Sequence, residues 1–368
     1  MSETNKTTNV EKKLKRKEFD TFDTSLACIS FIVFQLVFEL IYYVLPTSFK
    51  GNLFVALLLS FLVEGLFALA AITVSSSRNV KLVEATKMNK KIDFLSALLA
   101  IAISLVCLFS FTGLTNVFVA VLEKMGYSQV VSDIAIPNFL VYLIYVFLIC
   151  ICPAFFEELL FRGVICSGLK ERGTTKAVML SALIFMLMHG GPDQTVHQFI
   201  LGIVLGYAFI YSNSLWVPVI IHFVNNFVAV TMLFISSFVQ TSGEVVATEP
   251  VSWVSIIMSL AFALISAAIG GVLIWLCIKG LKNLKEKRDK KQLEKKLAVL
   301  DKAELSENDI QSLKGEGLDS EEPTSLTRSM NNLEKKKKIN TYTIVLYVIS
   351  GLYLVINWVL TLVQGFLM

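Results

Sequence analysis

The sequence predicts an all-α, polytopic bundle of about nine transmembrane segments with a cytoplasmic N-terminus. Three observations carry that prediction. Of 368 residues, 55% are hydrophobic and only 17% charged, more apolar surface than a soluble domain of this size can bury. The apolar residues come in runs long enough to cross a bilayer rather than in narrow helical stripes. Lysine and arginine, finally, concentrate in alternate connections between the runs, as the positive-inside rule requires.

In chain order, residues 1–24 form a basic cytoplasmic segment. It has no apolar core and no small-residue cleavage site, so the run 25–45 reads as a retained anchor rather than a cleaved leader. With the runs 52–74 and 94–122 it makes up an N-terminal membrane block, 25–137. A core over 138–236 holds the runs 138–170, 176–190, 197–212 and 215–237, of which 176–190 and 197–212 are short for a crossing of about 20 residues. One further helix, 252–278, fills 237–278. Residues 279–341 read as a charged cytoplasmic linker, helical at first near Lys285–Leu300 and flexible beyond. A last membrane helix, 342–366, lies in 342–368.

The charge distribution tests this order. Residues 1–20 carry six Lys/Arg, 75–93 five and 279–341 sixteen, whereas 46–52 and 123–137 carry one each and 191–196 and 238–251 none. The N-terminus is therefore expected inside and the C-terminus outside. The net charge of +4 sits in these loops, which reports topology and excludes nucleic acid as an expected partner. The six cysteines lie in or beside apolar runs without zinc-site spacing, and read as small packing residues.

Ionisable groups inside membrane segments cost about 2.5–3.5 kcal/mol each on insertion scales, so each needs a reason. The run Phe155-Phe156-Glu157-Glu158-Leu159-Leu160-Phe161-Arg162 holds three. Glu158 and Arg162 are four apart and share a helix face, which allows an ion pair. Glu157 is turned away from both and suits a general base. The three histidines lie between 189 and 222. His189 ends a short apolar helix, and His222 and Asn226 share one face of the next-but-one helix. Glu157 and His189 are equidistant from the turn at Gly173, which places them at one depth in an antiparallel pair. His222 lies closer to its own turn, a mismatch removed if the fourth and fifth helices project beyond it. His197, Glu39 and Glu64 read as structural or interfacial groups.

These residues resemble the CPBP family of membrane proteases, which includes the eukaryotic CAAX prenyl endopeptidase and bacterial proteins linked to bacteriocin processing and self-immunity. The family pattern E-E-x-x-x-R, F-x-x-x-H, H-x-x-x-N is matched by Glu157-Glu158 to Arg162, Phe185 to His189, and His222 to Asn226. Gly202, Gly206 and the stretch Ser214-Leu215-Trp216-Val217-Pro218 agree as well. The resemblance implies an endopeptidase with a cavity reached from the cytoplasm. Its catalytic set would be Glu157, Glu158, Arg162, His189, His222 and Asn226, in which Glu157 and His189 activate water and His222 and Asn226 hold the oxyanion. Zinc is a candidate cofactor, with Glu157, His189 and His222 as its ligands, although no H-E-x-x-H signature is present; no other cofactor is expected. The expected partners are membrane lipid and a peptide or membrane-anchored protein substrate, and the expected location is the cell membrane. The alternative is a non-catalytic immunity or scaffold protein using the same buried polar cluster. A transporter is disfavoured, because no paired halves with broken helices are visible.

Overall fold

The computed structural model describes residues 16, 18–50, 52–128, 136–239, 252–302 and 339–368. Among these, the architecture is nine long helices without a strand: α1 Thr21–Val44, α2 Leu53–Ser77, α3 Phe94–Lys124, α4 Phe139–Arg172, α5 Thr174–Met188, α6 Thr195–Ser212, α7 Trp216–Val239, α8 Trp253–Lys302 and α9 Thr341–Leu367. The chain is a polytopic helical membrane protein. Five of these helices begin where the sequence supplies a side-chain cap. Asp20 and Asp23 exchange side chain-to-amide bonds to start α1, four residues before the apolar run itself, while Asn52, Asp93, Asn138 and Asn340 cap α2, α3, α4 and α9. Gly173, at φ 103°, makes the tight reversal between α4 and α5, and Asn213, at φ 53°, ends α6 in a left-handed turn.

Among the described residues, eight helices are long and apolar enough to cross a membrane. The exception is α5, whose 15 residues span about 22 Å, short of a core about 30 Å thick. It lies instead among α4, α6 and α9. The sixth segment, expected to be short, reaches crossing length because the turn Pro192–Gln194 extends it at its start.

A second departure from the sequence reading concerns the boundary at 279. The helix does not stop there: α8 runs unbroken for 50 residues, because Lys, Glu and Leu are all strong helix formers and nothing between Lys279 and Lys302 breaks the backbone. The flexible part expected of the linker falls at 303–338, outside the described residues.

Polar contacts tie many helix ends together at one end of the bundle. Arg78 reaches Asp23 at 2.7 Å, Arg172 reaches the Thr21 hydroxyl at 3.2 Å, and the Tyr347 hydroxyl donates to the Thr21 carbonyl at 3.0 Å. Arg288 of α8 bonds Asp93 at 2.6 Å, Ser96 at 2.9 Å and the Ser212 carbonyl at 3.2 Å. This end carries the basic connections, the distribution that the positive-inside rule gives a cytoplasmic face. The depth mismatch at His222 resolves here too. The turn before α7 hangs from the loop after α2, with the Ser214 hydroxyl donating to the Lys90 carbonyl at 2.8 Å and the Trp216 indole to that of Met88 at 2.9 Å. That loop crosses α4 at Gly163, where a Cβ would come within 2.8 Å of Thr86, and α4 continues past it to Arg172.

Candidate active site

The site assembles on α4, α5, α6 and α7. Helix α4 is not uniform: wider π turns at Val146–Ile151 and Leu159–Cys166 flank the α-helical turns Cys152–Glu158 that carry both glutamates. Such π turns recur at functional sites, where they re-aim side chains. Pro153 adds a second irregularity, since it has no N–H for the Ile149 carbonyl four residues back. The Asn226 amide of α7 donates to that carbonyl at 2.9 Å.

Glu158 and Arg162 pair at 2.8 Å, both side chains fully buried. The second guanidinium nitrogen donates to the Gly202 carbonyl of α6 at 3.2 Å, and the guanidinium lies 4.4 Å from the centre of the Phe185 ring. Gly202 makes this approach feasible, because a Cβ there would sit 2.9 Å from the Ala182 backbone of α5. The same carboxylate oxygen, Glu158 Oε1, also lies 2.9 Å from His222 Nδ1. One buried acid therefore joins α4 to α7 while its partner arginine joins α4 to α6.

Glu157 points elsewhere. Its Oε2 is buried with no hydrogen-bond partner among the described residues, and it faces His189 Nε2 at 3.9 Å. The His189 Nδ1 lies 2.8 Å from the Phe185 carbonyl. A carbonyl only accepts, so Nδ1 carries the proton and Nε2 presents a lone pair to Glu157. The imidazole side is the more open: the His189 side chain is 19% exposed against 7% for Glu157.

Of the residues singled out in sequence, Glu158, Arg162 and His222 form one bonded network, and Glu157 and His189 form a facing pair. Asn226 braces the Pro153 irregularity with one amide N–H and keeps the other. The proposed metal set does not close. Among the described residues no three His, Cys, Asp or Glu side chains form a group that could hold an ion, and His222 turns its Nδ1 to Glu158 rather than toward Glu157 and His189. The sequence reading missed Asn225, which is buried, bonds His197 Nε2 at 3.3 Å and Asn226 Oδ1 at 3.2 Å, and finds no partner for its own Oδ1 among the described residues. Its signal was present: two adjacent amides in an apolar run, three and four residues after a histidine. Glu39 and Glu64 line a crevice of about 550 Å³ that also takes in Pro153, one helical turn before Glu157. All six cysteines are free thiols, five of them buried, as packing residues should be.

Residues 139–228 match the family model described as type II CAAX prenyl endopeptidase Rce1-like. The likeness is confined to this segment. It begins where α4 begins and contains Glu157, Glu158, Arg162, Phe185, His189, His222 and Asn226, so the match covers the bonded site as a unit. It supports CAAX-type intramembrane protease activity in general. Helices α1–α3, α8 and α9 lie outside the Rce1-like segment. Neither the curated proteins nor the solved structures gave a match to the chain.

Proposed function

We propose that the chain is an endopeptidase of the cell membrane that hydrolyses a peptide bond in a membrane-associated or lipid-modified protein or peptide, using water activated by Glu157 and His189. The observation that carries this reading is the facing pair of acceptors, Glu157 Oε2 and His189 Nε2, 3.9 Å apart. A water about 2.8 Å from each sees the two at about a right angle, close to the angle between its own O–H bonds. Such a water would donate one hydrogen to each group and present its lone pairs outward to a carbonyl carbon.

In the attack, the water O–H bond breaks, its proton passes to Glu157, and the new C–O bond forms. The Glu157 acid then returns the proton to the departing amine as the C–N bond breaks, the double use of one group typical of general acid–base hydrolysis. The oxyanion falls to His222 as its imidazolium, in which Nδ1–H donates to Glu158 and Nε2–H is left for the oxyanion, with the remaining Asn226 N–H beside it. Arg162 and Glu158 act as positioning residues, since they hold His222 and α6 in place. The crevice at Pro153 supports lateral entry of a membrane-held substrate. Zinc would have Glu157 and His189 as facing donors but no converging third among the described residues, so the step is assigned to the carboxylate and imidazole themselves.

The test is purified full-length protein in proteoliposomes with membrane-anchored and lipid-modified peptides, the products being read by mass spectrometry. Internal cleavage that survives exhaustive chelation is expected. Cleavage abolished by chelation and restored by zinc would replace the metal-free step, and peptides bound but never cut would make the chain a scaffold.

A further inference from the structure

A groove of about 510 Å³ lies between α6 and α8, and its lining includes no residue of the catalytic cluster. Its polarity changes along its length. At one end Ile274 and Ile203 form apolar walls; at the other stand Lys279 and Lys282, where α8 leaves its apolar run and becomes charged. Tyr207, Tyr211 and Trp275 line the transition, the ring types that settle where hydrocarbon meets headgroups. Gly271 opens the floor, because a Cβ placed there would meet nothing within 4 Å.

The charges at the mouth are weakly neutralised. Arg288 is engaged by Asp93 at 2.6 Å and Lys285 by Asp289 at 2.9 Å. Lys282 has only Glu286 at 4.0 Å, the outer limit of an ion pair. Lys279 lies 5.3 Å from the Trp275 ring centre, with no carboxylate in ion-pair range among the described residues. An occupant must therefore be apolar for most of its length, end in an anionic group, and be present at the boundary of the bilayer at the basic end of the bundle.

We infer that this groove is a binding site for one anionic membrane phospholipid, with an acyl chain over Gly271 and the phosphate between Lys279 and Lys282. The geometry favours an anionic over a zwitterionic headgroup, because two ammonium groups face it with no carboxylate in the groove lining. The site is separate from the catalytic cluster and independent of whether the chain cleaves peptides. It shares α6 with that cluster: Ile203 and Val204 line the groove, and the neighbouring Gly202 carbonyl holds Arg162.

The experiment uses the full chain in phosphatidylcholine nanodiscs, with phosphatidylglycerol added in steps. Thermal unfolding and bound-lipid counting by native mass spectrometry are the readouts. The wild type should show a saturable rise in unfolding temperature and one retained phosphatidylglycerol. Lys279→Gln with Lys282→Gln should weaken that response about tenfold or more. Gly271→Leu should abolish it by filling the floor, while both variants unfold at the wild-type temperature in phosphatidylcholine alone. Equal responses to the two lipids, or an unchanged response in Gly271→Leu, would overturn the assignment. So would a full response to glycerol phosphate, which would make the site one for free phosphate.

Discussion

The Glu158 carboxylate answers two donors at once, the Arg162 guanidinium at 2.8 Å and the His222 ring at 2.9 Å. Removing its charge would strand a fully buried cation, a change that costs about 3–5 kcal/mol when a buried pair is broken. Glu158→Gln should therefore lower both yield and unfolding temperature, together with any activity; thermal unfolding in one detergent measures it. A variant as stable as wild type would mean that the arginine finds another partner. This pair was legible in the sequence, since helix phase alone places residues four apart on one face. The bracing of Ile149 by Asn226 was not, because it depends on a carbonyl freed by Pro153 on a different helix. Asn225 was overlooked for a similar reason: its partner His197 lies on another helix, and only the packing brings the two together.

The helices themselves were readable from hydropathy, with ends displaced by a few residues where caps such as Asp20 lie outside the apolar run. What hydropathy does not carry is backbone irregularity, so the π turns of α4 gave no warning; helix near Lys285–Leu300 was expected, but not its unbroken continuity with the apolar run of α8. Close contact between α5 and α6 rests on Gly202 and Gly206, where added side chains would meet Ala182 at 2.9 Å and Val178 at 3.0 Å. Gly202→Leu should force the two apart, at a cost of about 1–3 kcal/mol for overpacking, and pull the carbonyl from Arg162. Lower thermal stability is the expected reading; an unaltered unfolding temperature would contradict the close packing. The contact of α8 with α3 has a pH signature. Burial alone would raise the Asp93 carboxyl, but bonds from the Ser96 amide and Arg288 outweigh it and hold it below its ordinary range. A depressed folded value means that the contribution is present above the unfolded value of about 3.9 and is lost as pH falls through the folded one. Hydrogen exchange in α8 near Arg288 should rise as pH drops below about 4, after correction for the intrinsic rate, and Arg288→Gln should show that faster exchange at neutral pH already. Exchange in α8 that is the same in this variant as in wild type would remove the strap.

For the whole molecule, the alternation of basic and uncharged connections predicted which helix ends share a face, and the bonds among Thr21, Asp23, Arg78, Asp93, Arg172 and Arg288 gather those ends together. The side of the membrane follows from charge. A cysteine at Lys290, exposed on α8, should escape an impermeant thiol reagent added to intact cells, while one at Met125, 64% exposed at the far end of α3, should react. The opposite pattern would invert the topology.

The central claim is that a buried carboxylate whose Oε2 accepts no hydrogen bond from the described residues does the chemistry, and Glu157 tests it most directly. Glu157→Gln keeps the shape of the side chain and strands no cation, so it should unfold within about a degree of wild type while cleavage in proteoliposomes falls by about 10²–10⁴-fold. A Glu157→Gln protein that is stable and still cuts membrane-held peptides at the wild-type rate would contradict the account.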